Sequence, residues 1–131
     1  MKKIVESIKK RPINLFLIIF VLCAYWINNY FLKVHCTGIL KLFFVCYFND
    51  LICLLFFFSY ANLLLITVNR EISKLRYYIL ISLCTSCVWE FIAPLLKSSS
   101  TTDVNDIVCY LIGGIFYWLI LTIIKKKDLE R

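Results

Sequence analysis

The sequence predicts an all-α integral membrane protein: a four-helix bundle with a short interfacial or re-entrant helix before the second span. Hydrophobic residues make up 62% of the 131-residue chain, against about 45–50% in soluble proteins. The mean hydropathy is +0.84, and one domain of this length cannot bury so much apolar surface in water. Four long apolar runs alternate with short polar or basic segments, so lipid is the expected solvent for a single membrane domain covering residues 1–131.

The first predicted span, residues 12–32, follows a basic segment and contains no charged side chain. At about 1.5 Å per residue it is long enough to cross a hydrocarbon core of roughly 30 Å. Pro12 suits the first turn of a helix, where its missing N–H costs nothing. A cleavable signal peptide is the competing interpretation, but no small-residue cleavage site follows the apolar run, so a retained span is expected.

The next apolar region, residues 38–68, is too long for one simple span and is interrupted by Asn49 and Asp50. We place the second span at residues 51–68, with Asn49 or Asp50 capping its N-terminus. Residues 38–48 are too few to cross the membrane, which favours an interfacial or re-entrant helix. A single long tilted helix beginning near Lys41 is the alternative.

The third and fourth spans are predicted at residues 77–96 and 104–124. A basic loop precedes the third span, and Pro94 lies near its end. A Ser/Thr-rich turn and Asp103 then lead into the fourth span, which the lysines at residues 125–127 are expected to end.

The basic residues are distributed unevenly between the two sides of this topology. Twelve of the fifteen lysines and arginines lie in the N-terminal segment, the loop at residues 69–76 and the C-terminal segment. The positive-inside rule therefore predicts a multi-pass protein with both termini in the cytoplasm. Nucleic-acid binding is not expected, because the chain has no basic face with interleaved aromatics and no module motif.

The chain contains seven cysteines, an odd number, and most of them lie inside apolar runs. We interpret them as lipid-facing or core thiols rather than a disulfide framework. Cys84 and Cys87 form a C-x-x-C pair on one helix face. Without a surrounding βαβ pattern, packing is favoured over a redox or metal role.

Glu90 is the ionisable residue deepest inside a predicted span. A carboxylate at mid-helix costs about 2.5–3.5 kcal/mol on insertion scales, which favours a functional role. Its position, roughly 20 Å from the inner end of the third span, places it in the outer half of the bilayer. Asp50, Asp103 and Asp106, together with Asn49, fall at the same outer level, so a ligand- or ion-binding site of converging acids is predicted. Helix capping is the alternative for each aspartate.

Small residues predict close packing between spans three and four. They are Ser82 and Ser86 in span three, and Gly113 and Gly114 in span four. Contact there would bring Glu90 near Asp106 or Tyr110. Because two such carboxylates repel unless a cation or shared proton intervenes, the site can bind a metal ion, carry a proton or hold a cationic or hydroxyl-rich head group. The sequence specifies no particular metal.

The second half of the chain resembles the VanZ-like family of small bacterial membrane proteins. The resemblance covers about residues 86–116 and is carried by Trp89-Glu90-Phe91, Pro94, Asp103, Asp106 and Gly113-Gly114. It implies a location in the bacterial cytoplasmic (inner) membrane and functional roles at Glu90, Asp106 and Gly113. Some members of that family are linked to resistance to glycopeptide antibiotics such as teicoplanin.

The leading hypothesis is therefore a VanZ-like cell-envelope protein that binds a lipid-linked or cell-wall component at an outward-facing acidic site. The alternatives are a small secondary transporter, or transporter subunit, moving a proton or cation (of a metal–citrate type), and a structural membrane subunit. The lipid bilayer is the expected partner. The transport hypothesis requires a homo-oligomer, and a structural subunit would pack against a larger membrane partner through Gly113 and Gly114. No enzyme activity and no cofactor are predicted, because no Ser–His–Asp set, metal-ligand triad or phosphate loop is present.

Overall fold

The computed structural model describes residues 1–96 and 104–131, and those residues contain helices and no strand. The helices are α1 (Lys2–Lys10), α2 (Pro12–Ile27), α3 (Lys33–His35), α4 (Gly38–Cys46), α5 (Phe48–Ile66), α6 (Leu75–Leu96) and α7 (Val104–Glu130). A π-helical segment, Asn28–Leu32, joins α2 to α3.

Four stretches of this chain are long and apolar enough to cross a membrane. They are Pro12–His35, Gly38–Ile66, Leu75–Leu96 and Val104–Glu130. The predicted all-α four-helix fold is confirmed, and the chain is a multi-pass membrane protein in contact with the lipid bilayer.

The four long helices pack in the order α2, α5, α7, α6. Arg11, at the start of α2, forms ion pairs with Glu71 in the α5–α6 loop and with Asp128 near the end of α7. These pairs bring the two chain termini and the α5–α6 loop to one end of the bundle, called here the terminal end. The opposite end, where α5 and α7 begin, is called the distal end. Consequently α5 and α7 run parallel to each other and antiparallel to α2 and α6.

Aromatic side chains form the centre of the bundle. Phe58 packs edge-on against Tyr78, with ring centroids 4.8 Å apart, and lies 5.9 Å from the ring of Tyr117. Leu54 and Leu121 complete this buried layer. Most other large apolar side chains lie on the outside, as expected when the surrounding solvent is hydrocarbon rather than water.

Gly113 and Gly114 allow α7 to approach two different helices. A Cβ atom built on Gly114 would lie 2.4 Å from Ser82 Oγ of α6, which places this glycine in the predicted contact between the third and fourth spans. A Cβ on Gly113 would instead lie 2.5 Å from the Leu51 carbonyl oxygen of α5. Ser86 is buried on α6, and its hydroxyl donates to the Leu83 carbonyl within the same helix at 2.8 Å.

The break in the second apolar region falls at Tyr47, not at Asn49 and Asp50. Asn49 and Asp50 lie in the first turn of α5, and no side chain caps that helix, so the predicted capping role is wrong. Asn49 and Asp50 lie inside the helix because backbone hydrogen bonds continue on both sides of Tyr47. The Tyr47 N–H donates to the Phe43 carbonyl at 2.9 Å, and the Leu51 N–H donates to the Tyr47 carbonyl at 3.1 Å.

Four other helix ends differ from the predicted spans. The helical stretch of the first span continues to His35, three residues beyond the prediction, and α5 ends at Ile66, two residues before it. Helix α6 begins at Leu75, two residues before the predicted third span, and α7 continues to Glu130 beyond the lysines at residues 125–127. Lysine is a good helix former, so those charges mark where the apolar run ends and not where the helix ends.

Candidate functional site

A cleft of about 370 Å³ runs along α5 between α2 and α6. It is lined by Val21, Leu22 and Tyr25 of α2, Asn49, Asp50, Ile52, Cys53 and Phe56 of α5, Thr85 and Trp89 of α6, and Tyr110 of α7. Leu22, Tyr25 and Trp89 are each just over half exposed. The cleft therefore opens sideways, onto the surface that faces lipid.

The distal part of the cleft contains its charged group. The Tyr110 hydroxyl donates to Asp50 Oδ1 at 3.3 Å. Asp106 lies close enough to interact electrostatically with both Asp50 and Tyr110. The structure thus brings together two predicted site residues, Asp50 and Asp106, called here the acidic pair.

Asn49 is connected to the end of the first span through Asn28, which is not among the predicted site residues. Asn28 opens the π-helical segment and is fully buried. Its Nδ2 donates to Asn49 Oδ1 and to the Phe44 carbonyl, each at 3.0 Å. Its Oδ1 has no hydrogen-bond partner among the described residues. In the sequence, the signal for Asn28 was an asparagine inside an apolar span. In the structure, its π-helical turn adds to that signal, because such turns frequently occur at functional positions.

Glu90 lies at the level of the acidic pair but does not line the cleft. Since Ser82 faces Gly114 across antiparallel helices, a step of eight residues in each helix, about 12 Å, sets Glu90 level with Asp106. Glu90 Oε1 is shielded from solvent and accepts no hydrogen bond from any residue in the described ranges. The convergence of Glu90 with the aspartates stays a prediction.

Asp103, the remaining predicted site residue, lies outside the described residues. The described part of the chain contains no group of three or more His, Cys, Asp or Glu side chains placed to hold a metal ion. Cys84 and Cys87 are exposed thiols on α6.

A second polar cluster is buried in the terminal half of the bundle. Asn62 Nδ2 donates to the hydroxyls of Tyr78 and Tyr117, at 3.1 and 3.0 Å. The Tyr117 hydroxyl donates to Asn14 Oδ1 at 2.6 Å, and the Tyr78 hydroxyl donates to the Ile72 carbonyl in the α5–α6 loop. These hydrogen bonds connect all four long helices and the loop, so we interpret this cluster as stabilising the bundle.

The fold and the site together define a class of protein: a four-helix membrane protein with a lipid-facing apolar cleft that reaches an acidic pair. Comparisons of the chain with protein-family models, curated proteins and solved structures found no match. The function is therefore argued from the geometry of the cleft and the chemistry of the residues that line it.

Proposed function

We propose that the protein binds a lipid-linked or cell-wall component of the envelope, with an apolar chain in the cleft and a polar head at the acidic pair. The observation that carries this proposal is one continuous cleft. It is apolar along the first half of α5, from Ile52 to Phe56, and reaches Asp50 and Tyr110 at its distal part. A lipid has the same division into apolar and polar parts.

The dimensions and position of the cleft fit a chain of methylene groups. Its volume of about 370 Å³ falls in the lower part of the range of small-molecule pockets, roughly 300–1,000 Å³. Ile52, Cys53 and Phe56 supply an apolar wall at van der Waals range of an occupant. Because the cleft opens sideways, a chain longer than the cleft can continue into the bilayer.

The polar groups at the distal end favour a head group that donates hydrogen bonds. Asp50 lines the cleft and Asp106 lies beside it. Their carboxylate oxygens accept hydrogen bonds from hydroxyl and ammonium groups and repel phosphate. A sugar hydroxyl or an amine is therefore the preferred chemistry. The VanZ-like resemblance supports the same assignment, since it points to the cell envelope and carries over Asp106.

Transport of a proton or cation is the second candidate, and the acidic pair favours it, because two neighbouring carboxylates repel unless a proton or a cation lies between them. Transport also needs a polar route to the other side of the membrane. Between the acidic pair and the buried cluster at Asn62, the bundle is closed by Leu54 and Phe58, which are both fully buried. Binding is therefore the better supported function.

The charge distribution supports a location of the acidic pair on the outer side of a bacterial cytoplasmic membrane. Most lysines and arginines belong to the terminal end of the bundle, and cytoplasmic loops are enriched in these residues. The cleft then takes its ligand from the outer leaflet, where lipid-linked wall precursors are used.

Native mass spectrometry of the protein purified in mild detergent tests the binding proposal. The wild type is expected to retain an adduct with the mass of a lipid. Cys53→Phe fills the cleft and is expected to lose it, whereas Cys84→Phe makes the same change on the outside of α6 and is expected to keep it. Asp50→Asn keeps the size of the side chain but removes its negative charge, and it is expected to reduce the adduct at least tenfold, about 1.4 kcal/mol.

A bare wild-type protein that is folded in the same preparation would contradict binding. Proton uptake into proteoliposomes that is lost in Asp50→Asn would then support transport. An adduct that survives Cys53→Phe would place the ligand elsewhere on the bundle.

A further inference from the structure

A second groove lies at the terminal end of the bundle, between the start of α2 and the end of α7. Its volume is about 460 Å³, and its mouth is formed by Lys9, Lys10, Arg11 and Asp128. Arg11 is neutralised in part, because its Nη1 donates to Asp128 Oδ2 at 2.7 Å and its Nε to Glu71 at 3.3 Å. Lys9 and Lys10 are exposed and form no ion pair with any residue that the structure describes.

The two lysines are held in place by the packing of α1. Ser7 is buried, and its hydroxyl donates to the Leu63 carbonyl of α5 at 2.6 Å. This contact fixes α1 against the end of α5, so that Lys9 and Lys10, at the end of α1, remain beside the groove. The N-terminal end of α2 follows directly, and its helix dipole adds partial positive charge.

The floor of the groove is apolar and continues onto the lipid-facing surface. Ile13, Phe16 and Ile124 form it, and Phe16 is 62% exposed on the outside of α2. A basic mouth with an apolar floor at the beginning of a membrane span combines the two features that recognise a lipid anion. A free phosphate ion would use only the mouth.

We propose that this groove binds an anionic phospholipid, with its phosphate at Lys9 and Lys10 and one acyl chain along Ile13, Phe16 and Ile124. Basic pockets between membrane helices are known sites for such head groups, and each lysine near the surface contributes about 1 kcal/mol. The site differs from the cleft in its position and in the charge of its ligand, so it stands whether or not the cleft binds an envelope component.

The test is a native mass spectrometry titration of the full chain with phosphatidylglycerol and with phosphatidylcholine of the same acyl chains. The wild type is expected to bind phosphatidylglycerol preferentially. The double variant Lys9→Gln/Lys10→Gln is expected to bind it roughly thirtyfold more weakly, the change that two lysines imply. The matched control, Lys2→Gln/Lys3→Gln, removes the same charge from α1 away from the groove and is expected to keep wild-type binding.

Equal losses in the two double variants would overturn the proposal, because the attraction would then be a property of net charge. Equal binding of the two lipids by the wild type would overturn it as well. Phe16→Ala tests the floor and is expected to weaken phosphatidylglycerol binding. Unchanged binding in that variant, together with displacement of the lipid by inorganic phosphate, would show a simple anion site and reject the lipid. Thermal unfolding in detergent verifies that each variant is folded.

Discussion

At the scale of single residues, the two adjacent glycines of α7 tolerate a side chain very differently. A Cβ on Gly113 would meet the Leu51 carbonyl oxygen, a backbone atom that moves only with the whole of α5. A Cβ on Gly114 would meet the hydroxyl of Ser82 and, at 3.2 Å, a ring atom of Phe58. Because the Ser82 hydroxyl can rotate away, the collision at Gly114 is the easier one to relieve.

Gly113→Ala is therefore expected to destabilise the bundle more than Gly114→Ala. Overpacking a tight contact costs about 1–3 kcal/mol, whereas the gain in helix propensity from glycine to alanine, about 1 kcal/mol in water, is common to both variants. Thermal unfolding in detergent measures the difference. Val108→Leu, on the exposed face of α7, is the control and is expected to leave stability unchanged. A Gly114 variant less stable than the Gly113 variant would contradict this ranking.

Residue identity predicted which side chains are unusual better than it predicted their partners. Glu90 and the aspartates are conspicuous in apolar runs, and the structure joins Asp50 to Asp106. The asparagines at positions 14, 28 and 62 were equally visible in the sequence, but their partners come from distant helices. A pairing such as Asn14 with Tyr117 depends on how helices sit against each other, which periodicity along one helix does not specify.

At the scale of elements, the π-helical segment Asn28–Leu32 connects α2 to the distal helices. A π-helical turn accommodates an extra residue and changes the direction of the side chains that follow. Here Asn28 is buried and donates to the carbonyl of Phe44 in α4 and to Asn49 in α5. One side chain thus ties the end of the first span to both parts of the second apolar region.

Loss of this tie should loosen α4 specifically. Asn28→Ala removes both donated hydrogen bonds, and it is expected to increase the hydrogen–deuterium exchange of the backbone amides of Gly38–Cys46. Asn29→Ala is the matched control, because Asn29 is the same residue type at the next position and is not fully buried. Equal exchange in the two variants would show that α4 is held by its aromatic contacts alone.

The existence of the long helices was predictable from hydropathy, but several of their ends were not. Hydropathy reports where a chain is apolar, and this located the four runs that span the membrane. The break at Tyr47 and the extension of α7 to Glu130 depend instead on backbone hydrogen bonds and on the helix propensity of charged residues, which hydropathy does not record.

At the scale of the whole molecule, ion pairs connect the segments that meet at the terminal end, but they do not neutralise its positive charge. Glu71 accepts from Arg11 and, at 2.8 Å, from Lys125, so three separate parts of the chain meet at one carboxylate. Within residues 1–96 and 104–131, most lysines and arginines of this end form no ion pair. The excess positive charge supports the proposed orientation, with the terminal end in the cytoplasm.

Reporter fusions in bacteria measure that orientation. Green fluorescent protein fused after Arg131 is expected to fluoresce, and alkaline phosphatase at the same position is expected to be inactive, because the first matures in the cytoplasm and the second outside it. A truncated chain fused after Thr37, at the distal end, is expected to give the reverse pattern. An active phosphatase after Arg131 would invert the topology and place the acidic pair inside the cell.

Because the cleft opens sideways, affinity for a ligand of this protein is defined relative to the lipid phase and not to water. Leu22, Tyr25 and Trp89 border the opening on the lipid-facing surface. The proposed ligand would therefore arrive by diffusion in two dimensions, without leaving hydrocarbon for water. Occupancy then follows the mole fraction of the ligand in its leaflet rather than a concentration in solution. Contacts at the acidic pair then need only to distinguish the proposed ligand from the other lipids around it, and not to extract it from water.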